Sequence, residues 1–216
     1  MNSELVMQTL GQSRLIAILR GDFEGKELDI AGALIEGGFR AMEVSIVSKE
    51  YKTVIARIAQ SFGSRISLGA GTVLTVEQLN EVADAGATFI VSPDSNDAVI
   101  AATRKLGCAS FPGAFTPTEI VSAFHAGADA VKLFPASTLG PGFVRAVRAA
   151  MPGIKLIPTG GVALNNVEHW FGAGAWAVAI GSELVDASTV RSADWGHLAE
   201  RARSFTGAVS GTAHVD

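Results

Sequence analysis

Lys132 lies inside "GADAVKLFPAS" (127–137), an otherwise apolar run in a chain of 216 residues. Burying an ammonium group is costly unless it is paired or gives up its proton, so such a position is wet, compensated or used. An opposite charge, Glu43, interrupts the apolar stretch "AMEVSI" (41–46). A lysine in a poorly solvated pocket becomes a nucleophile toward carbonyls, and a nearby carboxylate can then move protons. The bland alternative is a buried ion pair that only fixes the fold; such pairs are weak evidence of stability, so the catalytic pair is preferred.

Further groups of the same kind close other apolar stretches. Arg20 ends "RLIAILR" (14–20), Gly71-Thr72 ends "ISLGAGT" (66–72), Thr159-Gly160-Gly161 ends "IKLIPTGG" (154–161), and Gly181-Ser182 follows "AWAVAI" (175–180). Alone, Arg20 is a solvated strand end and each threonine a β-branched strand residue. In company with Lys132, Arg20 becomes a clamp for a carboxylate or phosphate, and Thr72 and Thr159 become hydrogen-bond donors to a substrate. The two glycine pairs suit a phosphate held on backbone N–H groups and a helix N-terminus.

The elements that position these groups follow from an internal repeat. "EGGFRAME" (36–43), "DAGATFIV" (84–91), "HAGADAVK" (125–132) and "GAGAWAVA" (172–179) align without gaps. Each reads as a helix ending in glycine and then a short apolar strand. They recur roughly every 45 residues, room for two strand–helix units per repeat. Four more apolar strands lie between them, at 14–20, 66–72, 107–113 and 154–160. Thr75–Gln78 and Thr116–Glu119 both fit a capping box, the second with Pro117 at the first helical position. Val76, Leu79, Val82 and Ala83 then form one apolar helix face, and Ile120, Val121 and Phe124 another.

Eight alternating strand–helix units predict an α/β fold, a (β/α)8 TIM barrel with chemistry at the C-terminal strand ends. An open doubly wound sheet is second, because "GAGTVL" (69–74) lacks the dinucleotide fingerprint. One domain is expected over 1–216: a barrel at about 14–186, then a C-terminal helix and tail (187–216) in which Trp195, Leu198 and Ala202 pack on the barrel. Residues 206–216 read as a frayed end or a packing strap.

Composition narrows the function classes. The chain is 48% hydrophobic and 18% charged with a net charge of −4. With no basic run, nucleic acid and membrane surfaces are not expected partners. The one cysteine, Cys108, reads as a small core residue, and no apolar run reaches the ~18 residues of a membrane span, so a cytoplasmic protein is expected. His125, His169, His197 and His214 show no ligand spacing, so neither a metal nor any other cofactor is expected.

With these residues in hand, the chain resembles the aldolases of 2-keto-3-deoxy-6-phosphogluconate and 2-keto-3-deoxy-6-phosphogalactonate. The matching pieces are "LIAILRG" (15–21), "MEVSI" (42–46), "GAGTVL" (69–74), "FPG" (111–113), "TPTE" (116–119), "VKLFPAS" (131–137), "PTGGV" (158–162) and "AIGSELV" (179–185). The resemblance implies a class I aldolase that yields pyruvate and glyceraldehyde 3-phosphate, with Lys132 forming the Schiff base and Glu43 acting as general acid/base. It implies that Thr72 and the Gly71 backbone hold the pyruvate carboxylate with support from Arg20, that Gly160, Gly161, Gly181 and Ser182 hold the 6-phosphate, and that the chain forms a homotrimer.

Two departures concern the epimer at C4. The gluconate-type enzymes carry an arginine four residues after the glutamate, where this chain has Val47, and "LGPGF" (139–143) resembles the galactonate branch. Thr159 points the other way, because galactonate-type enzymes tend to place an apolar residue there. Two rival functions use the same residues: a phosphosugar isomerase or epimerase with Glu43 as base and Lys132 only as electrostatic support, and a non-catalytic phosphosugar-binding protein.

Overall fold

The structure is a computed structural model, and it describes residues 3–212. Strands and helices alternate from the start. β1 (Leu15–Leu19), β2 (Ala41–Ser45), β3 (Ser67–Gly71), β4 (Phe89–Val91) and β5 (Ala109–Phe111) are followed by β6 (Gly113–Ala114), β7 (Val131–Leu133), β8 (Leu156–Pro158) and β9 (Val178–Ile180). Each of the eight stretches read as strands from sequence overlaps an observed strand, and every pairing is parallel.

The strands form two sheets, in the orders β5-β4-β3-β2-β1-β9 and β6-β7-β8. This corrects the expectation of eight unbroken strands, since the fifth stretch (107–113) is split at Pro112. Proline has no N–H to give to a ladder, so the pairing changes partners there. The Pro112 carbonyl accepts from the Lys132 N–H at 2.8 Å, and Phe111 accepts from Ser92 on the other side at 3.3 Å. An isolated parallel bridge, Thr159 to Ala179, links the second sheet to β9.

Helices cover the outer faces: α1 (Ser3–Ser13), α2 (Glu27–Glu36), α3 (Tyr51–Phe62), α4 (Val76–Asp84), α5 (Asp97–Lys105), α6 (Pro117–Ala126), α7 (Ala136–Ala150), α8 (Val167–Gly172), α9 (Ala187–Ser192) and α10 (Trp195–Ser210). Both expected capping boxes are present, Thr75 with Gln78 and Thr116 with Glu119. Gly38, Gly86, Gly127 and Gly174 all take positive φ, from 95° to 110°, which explains why the repeat keeps glycine at that point.

Burial divides by face, as period-two strands require. Ile16, Ala41, Phe89, Val91, Phe111, Ile157 and Ala179 make one apolar cluster, which Val6 and Leu10 of α1 join. Leu15, Ala17, Met42, Val44, Leu68 and Leu133 point the other way and pack with the helices. Gly69 leaves room for the Phe89 ring, which an added Cβ would strike.

On α4 the buried face is Leu79, Val82 and Ala83, as expected, while Val76, also expected there, is only half-buried. On α6 it is Ile120 and Ala123, whereas Phe124 is 43% exposed, a correction to the expected face. The last helix runs on through residues 206–210, with Val209 buried, and the Arg14 guanidinium donates to Thr212 Oγ1 at 2.8 Å. Residues 206–212 are therefore a packed end rather than a frayed one, and 213–216 lie outside the described residues. Among the described residues, no helix is long and apolar enough to cross a membrane.

Candidate active site

Glu43 is the third residue of β2 and Lys132 the second of β7, each in register with a glycine on a neighbouring strand, Gly69 and Gly113. Both charges are buried, at 2% and 6% exposure. They share a cavity of about 280 Å³ with Arg20, Thr72, Thr159, Gly160, Gly161, Gly181 and Ser182. Nine of the ten residues singled out by sequence thus meet in one place. The tenth, Gly71, lies directly behind it: a Cβ there would sit 2.5 Å from Glu43 Oε1, so glycine makes room for the carboxylate.

A larger cavity, about 630 Å³, lies at the opposite strand ends between α1, Arg40, Ser67 and Thr88. It holds none of the expected residues. Size alone does not identify a site; in parallel α/β folds the carboxyl ends of the strands carry the chemistry, and the smaller cavity lies there.

Burial dominates the electrostatics. It pushes the Glu43 carboxyl above its usual range, while Lys132 and then Arg20 pull it back. It pushes the Lys132 ammonium below its usual range; Glu43 opposes this and Arg20 adds to it. The Lys132 ammonium nitrogen lies 4.8 Å from the centre of the Phe134 ring. No ion pair within 4.0 Å joins Glu43 to Lys132, and Glu43 Oε2 is buried with no hydrogen-bond partner in the protein. The two groups are close enough to shift each other without neutralising each other, which suits reaction more than fastening.

The glycine pairs differ from expectation in one respect. Gly160 and Gly161 have φ of 90° and 78°, and a Cβ on Gly161 would lie 2.6 Å from Ser137 Cβ. No regular helix starts in either loop, since α8 begins at Val167 and α9 at Ala187. Residues 181–185 instead form a single turn in which Leu184 and Val185 both donate to the Gly181 carbonyl. Such a turn leaves its first N–H groups without partners of its own, so the loop offers backbone donors without a long helix.

The match to known proteins follows this geometry. The family model for KDPG and KHG aldolases matches residues 6–200. The chain belongs to that family. It is an aldolase, a lyase. It is 37% identical over 179 residues to the 2-dehydro-3-deoxy-6-phosphogalactonate aldolase of Escherichia coli (strain K12), covering 82% of this chain and 87% of the relative. It is 34% identical over 194 residues to the 2-dehydro-3-deoxy-phosphogluconate aldolase of Treponema pallidum (strain Nichols), covering 89% and 92%. A KDPG aldolase from Legionella pneumophila, solved with pyruvate captured as a covalent carbinolamine intermediate, superposes with a TM-score of 0.83 at 26% identity, over 91% of this chain and 95% of that one.

The aldolase cavity has further walls that the sequence did not single out: Ile18, Ser45, Pro93, Phe134, Val162, Ala179 and Glu183. Ser45 had a signal, being two residues beyond Glu43 and hence on the same strand face. Pro93 and Glu183 had none, because they reach the cavity through loops. Outside the cavity, the Ser48 hydroxyl accepts from the Gly21 N–H at 3.1 Å and so holds the loop that follows Arg20.

Proposed function

We propose that this aldolase cleaves a 2-keto-3-deoxy-6-phospho sugar acid, of the gluconate or galactonate type, to pyruvate and glyceraldehyde 3-phosphate through a Schiff base on Lys132. The neutral amine attacks the C2 carbonyl, and the Glu43 carboxyl gives its proton to the carbinolamine hydroxyl, which leaves as water to form an iminium ion and a Glu43 carboxylate. The Glu43 carboxylate takes the proton of the C4 hydroxyl, and the C3–C4 bond pair moves into the iminium as the aldehyde leaves. Protonation of the enamine at C3 and hydrolysis release pyruvate and return the amine. Thr72, the Gly71 backbone and Arg20 receive the carboxylate end. Gly160, Gly161, Gly181 and Ser182 receive the phosphate, with Thr159 beside them, so that remote binding energy positions the reacting bond.

The observation that carries this reading is the burial of Lys132 and Glu43 in one cavity, each shifted toward its neutral form and neither engaged by the other. An isomerase would use Lys132 only as a fixed positive charge, a role that burial lowering its pKa serves poorly. We infer also that the chain is one domain, a closed eight-stranded barrel, and that it assembles as a homotrimer. The Thr159–Ala179 bridge and the short break at Pro112 favour closure.

The deciding experiment is borohydride reduction in the presence of pyruvate, followed by intact mass and peptide mapping. The expected result is one pyruvate adduct, on Lys132. Lys132→Ala should lose both adduct and cleavage, and Glu43→Gln should slow cleavage by on the order of 10²- to 10⁴-fold while still forming some imine. An adduct on another lysine, or normal cleavage by Lys132→Ala, would refute the mechanism.

A further inference from the structure

Ser45 and Thr72 meet across the ends of β2 and β3. Their hydroxyl oxygens are 2.9 Å apart, and Ser45 is 2% exposed. Both residues line the cavity that holds Glu43 and Lys132. Thr72 has φ of 68°, the left-handed region that a β-branched side chain avoids. Such a conformation persists only where its surroundings over-determine it, and strained residues of this kind concentrate at ligand clamps.

Two backbone bonds hold the same corner. The Ile46 N–H donates to the Gly71 carbonyl at 2.9 Å, and the Ser48 N–H to the Ser45 carbonyl at 3.0 Å. These fix where Thr72 stands but not where its hydroxyl points. The Ser45 hydroxyl supplies that second constraint. Position 47, just past the strand's exit, is valine and 64% exposed, and the arginine that lines this cavity is Arg20, from the end of β1. For a carboxylate seated here Arg20 supplies charge, and a correctly aimed hydroxyl on Thr72 supplies direction.

We propose that Ser45 is a positioning residue for carboxylate recognition: it donates its proton to Thr72 Oγ1, which frees the Thr72 hydroxyl proton for the substrate carboxylate. A hydroxyl accepts and donates at once, so the chain Ser45–Thr72–carboxylate is satisfied at every step. This deepens the proposed function and rests on the assignment of Thr72 to the carboxylate end. A purely structural fastening of β2 to β3 would instead act on stability and leave both substrates' KM values alike.

The test is steady-state kinetics in the condensation direction, with pyruvate and glyceraldehyde 3-phosphate varied in turn. Ser45→Ala should raise KM for pyruvate about 3- to 10-fold, as expected for a lost hydrogen bond to a binding group, and leave KM for the aldehyde within about twofold. Ser45→Thr, which keeps the hydroxyl, should restore the pyruvate KM at unchanged thermal midpoint. An unchanged pyruvate KM in Ser45→Ala, or equal losses for both substrates with a lowered midpoint, overturns the role. Borohydride trapping on the unmodified enzyme is run alongside. An adduct on Lys132 with an unchanged Ser45→Ala KM overturns Ser45 alone, whereas no adduct overturns the mechanism beneath it.

Discussion

At Lys132 and Glu43 burial works against the stability of the folded chain. Burial lowers the lysine pKa and raises the glutamate pKa, so at neutral pH the unfolded chain ionises both groups more readily than the folded one. Each shift therefore costs folding free energy there. It also sets a pH dependence. Trapping of pyruvate needs the free amine, so its rate should rise with pH through a midpoint below the ordinary lysine value of ~10.4. Glu43 raises the Lys132 pKa and Arg20 lowers it, so Glu43→Gln should move the midpoint down and Arg20→Gln should move it up. A pH profile of the trapping rate checks both signs, and shifts in the same direction would contradict the electrostatics. The two charges were conspicuous in sequence because they interrupt apolar strands. Glu183 was not, because an acid in a polar loop looks like any solvated surface residue.

Glycine decides how closely the elements pack. Gly37 ends α2 with an ordinary helical φ of −70°, so its lack of a side chain is not a matter of backbone freedom. It is a matter of contact with α10: an added Cβ would collide with Ala202 Cβ and lie 2.8 Å from the Ala199 carbonyl oxygen. Gly37→Val should cost about 1–3 kcal/mol by overpacking. Gly153→Ala, which meets nothing within 4 Å, should change stability by no more than about 0.5 kcal/mol. Urea denaturation of the two variants provides the comparison, and equal stability would contradict the packing account. Capping boxes and repeat glycines were legible in sequence because both are local. Phe124 was not: its helical spacing fits the apolar face, but Ile120 and Ala123 meet the strands first.

Assembly is the question for the whole molecule. Leu74, Leu106, Phe115 and Phe124 are each 37–43% exposed, apolar surface that subunit contact would cover. For a chain of 22.3 kDa, sedimentation equilibrium should return three times that mass at micromolar concentration, and a monomer would overturn the homotrimer. The sequence by itself determined the order of strands and helices, the parallel class and the family. Those follow from period, caps and motifs, which are short-range properties of the chain. It also named nine of the residues that meet in the cavity, since strand ends of one polarity must share a face. Only the tertiary structure decided that Glu43 and Lys132 stand near each other without pairing, that Ser45 reaches Thr72, and that Pro112 divides a strand between two sheets. Those depend on distances between segments far apart in sequence, and packing alone sets them.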